Sequence, residues 1–150
     1  MSRSPGGWLK IAGLWLVLCG ATHLGWHVWM IVLENGMVGL RDFAMNAMVQ
    51  ARFTDPLTTS LWRYFRFFSV AFGVLLIFAG AVNILLSGRD VSRALQRKYA
   101  LLSTFFWTFA FVPFAFTDLV LQGLAVAAVA VPLHGVAYLV AAQEVSEDPR

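Results

Sequence analysis

The sequence predicts an all-α fold, a four-transmembrane-helix bundle with an amphipathic lid helix in its first outside loop. Three observations carry that expectation. Of the 150 residues, 59% are hydrophobic and 13% charged, about half the charge of an ordinary soluble domain. Mean hydropathy is +0.72. The charges gather in short stretches between long apolar runs, as in a chain whose solvent is lipid. Within 150 residues four spans of roughly 20 residues and their connections leave no room for a separate soluble domain, so one integral membrane domain is expected.

The first span is expected at about 11–33, interrupted by Cys19, Thr22, His23 and His27. Glu34-Asn35-Gly36, a charge followed by turn formers, ends it. A secretory signal has a shorter apolar core and a small-residue cleavage site, so this segment reads as a retained span. The outside loop then covers 34–66. Within it Leu40, Phe43, Ala44, Ala47, Met48 and Ala51 recur at helical spacing, with Arg41, Asp42, Asn46, Gln50 and Arg52 mostly between them. That pattern is a short amphipathic helix lying on the outer membrane face, and Asp55-Pro56 ends it.

The second span is expected at 67–86, stopping at Ser87-Gly88-Arg89-Asp90, and the third at 99–116, with Pro113 near its end. Thr117-Asp118 forms a short turn in which either residue can cap the next helix. The fourth span runs over 119–142 and gives way to a polar tail. Spans this apolar are helical, because hydrocarbon offers no partner to an open backbone.

Orientation follows from Lys and Arg. With both termini on one side, that side holds Arg3, Lys10, Arg89, Arg93, Arg97, Lys98 and Arg150, against Arg41, Arg52, Arg63 and Arg66 on the other. The excess places both termini in the cytoplasm. Packing is expected along stripes of small residues: Gly13 with Gly20, Gly73 with Gly80, and Ala125, Ala127, Ala128 and Ala130. In lipid, close backbone approach replaces the hydrophobic effect as the drive for helix association.

Ionisable groups inside spans are costly and mark where chemistry resides. Cys19, His23 and His27 are spaced four apart and so share one helix face. His134 is the comparable residue on the fourth span. At ~1.5 Å per residue, His23 falls within about 2 Å of the midplane and His134 roughly 4–5 Å to its cytoplasmic side, a depth match that permits a shared site.

Three readings stay open. In one, each neutral imidazole bonds a Ser, Thr or backbone carbonyl and joins helices. In another, His23, His27 and His134 line a polar cavity for a small ligand or a proton relay. In the third, imidazoles hold haem or a metal. Cys19, His23, His27 and Met30 form a soft set that suits copper(I) better than zinc. At the outer rim Glu34 and Asp118, with Asp42 and Asp55, face Arg63 and Arg66, with Arg41 and Arg52. These charges either close the lid through salt bridges or receive an anionic headgroup.

Other classes are disfavoured. Cys19 is the single cysteine, which excludes an intramolecular disulfide or a paired-cysteine metal site. The basic residues flank apolar runs, marking membrane lipids rather than nucleic acid as the partner. The sequence contains no nucleotide-binding glycine loop, no serine elbow and no paired carboxylates within a span, which disfavours an enzyme.

Gly20-Ala21-Thr22-His23, the aromatic start of the second span with Phe72-Gly73 and Ala79-Gly80, and Pro113-Phe114-Ala115-Phe116 together resemble small bacterial four-span proteins of the DoxX-like group. The resemblance covers most of the chain and implies a four-helix protein of the bacterial inner membrane. It supplies no catalytic residues, and His27 and His134 are not part of its pattern. The functional expectation is a ligand-binding or accessory and assembly role, with copies of itself or a larger membrane partner. The alternative is a metal- or haem-binding redox component.

Overall fold

The computed structural model describes residues 4–33, 61–116 and 121–147, with side chains described for 4–29, 67–110 and 125–143. The expected lid helix and most of the first loop, including Glu34, lie outside the described residues, as do Asp118 and the side chains of Met30, Arg63 and Arg66.

The described chain is all-helical, with no strand. Helix α1 spans Pro5–Leu33, α2 Leu61–Leu86, α3 Arg93–Phe116 and α4 Leu121–Glu147. Even the shortest, α3 with 24 residues, is longer than the ~20 residues needed to cross about 30 Å of hydrocarbon. Three helices contain stretches long and apolar enough to cross a membrane: Pro5–Trp29, Phe67–Leu86 and Ala125–Gln143. The protein is an integral membrane protein. Helix α3 reaches its apolar part only after Arg93, Arg97 and Lys98.

The first three helices begin earlier than the apolar runs predict, and caps explain two of the starts. Ser4 precedes α1, and its carbonyl and Oγ accept from the Gly7 N–H at 3.0 and 3.3 Å. Pro5 follows at the first helical position, where a missing N–H costs nothing. Ser92 caps α3 in the same way, its Oγ accepting from the Leu95 N–H at 3.3 Å.

The chain divides into two compact units, one of Met1–Cys19 and Ile77–Arg150, the other of Gly20–Leu76. In the first, α3 packs along α4. Leu9, Ala100 and Ala137 are fully buried, and Trp8, Tyr99 and Tyr138 pack around them. Ala127, Ala130, Ala137 and Ala141 are buried on one face of α4, whereas Ala125 and Ala128 are exposed. Phe105, Phe106 and Phe109 point outward from α3, as residues solvated by acyl chains do. Its threonines satisfy themselves locally, Thr104 Oγ1 donating to Ala100 O at 2.8 Å and Thr108 Oγ1 to Thr104 O at 2.7 Å.

In the second unit, a Cβ on Gly73 would stand 2.8 Å from Leu24. Any larger residue there would require the Leu24 side chain to shift. Trp26 and Trp29, with ring centroids 4.6 Å apart, are largely exposed where the apolar part of α1 ends, the place of an interfacial aromatic pair.

Candidate functional site

Two polar clusters interrupt the apolar helices, one in each compact unit. The first is built on α1 and α2 by His23, His27 and Ser69. The four-residue spacing of the histidines places their rings on successive turns of one face, with centroids 5.5 Å apart and planes inclined at 65°. Both Nε2 atoms converge on the same hydroxyl of α2. His23 Nε2 lies 2.7 Å from Ser69 Oγ and 3.1 Å from Ser69 O, and His27 Nε2 also bonds Ser69 Oγ. The Phe72 ring stands edge-on to His23, 5.6 Å away.

Donor and acceptor roles follow from the partners. A carbonyl oxygen only accepts, so His23 carries its proton on Nε2 and donates to Ser69. Ser69 Oγ can accept from His23 and donate its own proton to His27 Nε2. With His27 as the Nδ1–H tautomer, the three groups make a directed chain from His23 through Ser69 to His27. His27 is 5% exposed, so its bond to Ser69 is made away from bulk solvent.

A serine hydroxyl donating to an imidazole is also half of a nucleophilic pair. Acyl transfer further requires N–H donors aimed at a developing oxyanion. Ser69 lies in the interior of α2, where backbone N–H groups are engaged by helical bonds. The Ser69 backbone N–H therefore supplies no oxyanion donor.

The second cluster joins α2 and α4. His134 and Asn83 are both 0% exposed. His134 Nδ1 lies 2.8 Å from Ala130 O, and Nε2 lies 3.1 Å from Asn83 Oδ1, while Asn83 Nδ2 has no hydrogen-bond partner. A neutral ring donating from Nδ1 has an acceptor at Nε2. Exchanging the two ends of the carboxamide gives that nitrogen its donor and leaves the unpartnered place to an oxygen. A charged ring would satisfy the other orientation but would bury an imidazolium.

His23 and His134 belong to different units, and each finds the partners described here within its own. Cys19, half-buried, belongs to the unit of His134. Among the described residues, no three His, Cys, Asp or Glu side chains come together in a way that could hold a metal ion. Two rings on successive turns of one helix cannot stand on opposite faces of a haem, so the His23–His27 pair does not supply both axial ligands.

Ser69 and Asn83 went unrecognised in the sequence as site residues. The signal was present: over 67–86 they are the two polar side chains in an otherwise apolar helix. Compared with protein-family models, with curated proteins and with solved structures, the chain matches none.

Proposed function

We propose that this is a ligand-binding or accessory protein of the bacterial inner membrane, with both termini cytoplasmic and His23, Ser69 and His27 as its binding cluster. The observation that carries the reading is the convergence of two imidazole Nε2 atoms on one hydroxyl. Ordinary helix association needs one partner per imidazole. Here one donor and one acceptor nitrogen meet at a single point, which a ligand hydroxyl or amine can occupy by replacing Ser69 Oγ as their common partner.

Copper(I) is the second reading. Its support is that same convergence, since two neutral imidazoles aimed at one point suit a two-coordinate soft cation. Copper needs the Ser69 hydroxyl to move aside and the His23 proton to shift from Nε2 to Nδ1, which frees the ligating lone pair. The DoxX-like resemblance supports the membrane assignment and is neutral between these two ligands.

The experiment is to purify wild type, His23→Ala and His27→Ala from their native membrane and measure small molecules by mass spectrometry and copper by elemental analysis. A species present in wild type and absent from both variants supports the site, and its identity selects the reading. Identical contents in all three, with lowered thermal stability in the variants, would leave the cluster a purely structural joint.

A further inference from the structure

A polar cleft of about 320 Å³ opens in the first compact unit, lined by Ser4, Gly6, Ser87, Gly88, Arg89, Val91, Arg93 and Gln96. It lies at the membrane boundary. Ser4 immediately precedes the apolar stretch Pro5–Trp29, and Ser87 immediately follows Phe67–Leu86. Two helix N-termini, those of α1 and α3, open beside it, adding partial positive charge to its two guanidinium groups.

The walls are held in place. A Cβ on Gly6 would stand 2.7 Å from Ser87 O, so the first turn of α1 lies directly against the end of α2. Gln96 Nε2 donates to Leu86 O at 2.9 Å and to Gly88 O at 3.2 Å. Both partners are carbonyls, which fixes the direction of the carboxamide. Gln96 is 3% exposed, and its Oε1 has no hydrogen-bond partner. The cleft therefore combines cationic side chains with one oriented, unpaired acceptor. A buried acceptor left unpaired is expensive in a folded protein.

We propose that the cleft binds a phosphate ester carrying a hydroxyl group, the chemistry of a glycerophosphate. The phosphate meets Arg89 and Arg93, where guanidinium geometry matches its oxygens. The hydroxyl donates to Gln96 Oε1. An ammonium headgroup would offer the same oxygen a donor but would place a positive charge beside two arginines. Asp90, exposed next to Arg89, does not line the cleft. This inference is independent of the imidazole cluster.

The test is native mass spectrometry of the full chain titrated with phosphatidylglycerol and with phosphatidylmethanol, which has the same charge and no headgroup hydroxyl. Phosphatidylglycerol should bind about fivefold more tightly, the worth of one ordinary hydrogen bond. In the Arg89→Gln, Arg93→Gln double variant it should weaken roughly tenfold or more. These arginines are exposed, so the variant should fold, unlike one at Gln96, which caps α2.

A parallel titration with sn-glycerol 3-phosphate separates the sources. Saturable binding that competes with the lipid supports the proposal and assigns the cleft to a soluble ester. Lipid binding without it supports the proposal and assigns the cleft to a membrane headgroup. Equal affinity for the two lipids, or unchanged binding in the double variant, would overturn it.

Discussion

Gly13 of α1 and Gly80 of α2 meet backbone to backbone. A Cβ on either would stand 2.6 Å from the other's carbonyl oxygen, and one on Gly80 would also meet Val17 N at 2.8 Å. Neither obstacle is the flexible end of a side chain, so a methyl group can be accommodated only by separating the helices. Gly80→Ala should cost about 1–3 kcal/mol, the range for overpacking a tight contact. Gly25 is the internal control, because nothing lies within 4 Å of its added Cβ. Gly25→Ala should be neutral or stabilising by about 0.5–1 kcal/mol through helix propensity alone. Thermal unfolding in one detergent compares the two, and equal melting temperatures would mean that the helices do not cross so closely.

The buried pair His134–Asn83 predicts a non-additive response. His134→Leu removes the only partner shown for the Asn83 carboxamide and should destabilise by about 1–3 kcal/mol. Replacing both residues by leucine removes both desolvation costs together and should be milder than the sum of the single changes. A double-mutant cycle on thermal stability measures the coupling. Strict additivity would show that the two side chains do not interact.

The helices were legible because hydrocarbon allows an apolar span no other backbone solution. Their starts were less so. The apolar run of α3 begins near Tyr99, yet the helix starts at Arg93, because Ser92 caps it and charged residues at a membrane surface remain helical. The face shared by His23 and His27 was readable from spacing alone. Their partner was not, since helical periodicity says which residues share a face and nothing about which neighbour they meet. Ser69 sits 46 positions from His23, and no local pattern encodes that meeting.

Topology is tested by accessibility. In a Cys19→Ser background, a reagent that cannot cross the membrane should label a cysteine placed at Gly39 and spare one at Ser92. The motive is the excess of Lys and Arg on the terminal side, seven residues against four. Labelling of the Ser92 position alone would reverse the orientation and would move the Arg89–Arg93 cleft to the opposite leaflet.

The directed chain from His23 through Ser69 to His27 makes a prediction about protons that a merely packed cluster would not. Nitrogen-15 NMR of histidine-labelled protein in lipid distinguishes the two neutral tautomers of imidazole. His23 should show its proton on Nε2, because the Ser69 carbonyl 3.1 Å away can only accept. His27 should show its proton on Nδ1, with Nε2 receiving the Ser69 hydroxyl. Ser69→Ala deletes that hydroxyl and leaves the carbonyl, so the His23 signal should persist while the His27 ring loses its fixed tautomer. The same variant should lower stability by about 1–3 kcal/mol, because the nearly buried His27 loses its bond to the Ser69 hydroxyl. One shared tautomer in the wild type, or a His27 signal indifferent to Ser69→Ala, would dismantle the chain. The donor–acceptor pairing on which hydroxyl or amine binding is proposed would then go with it.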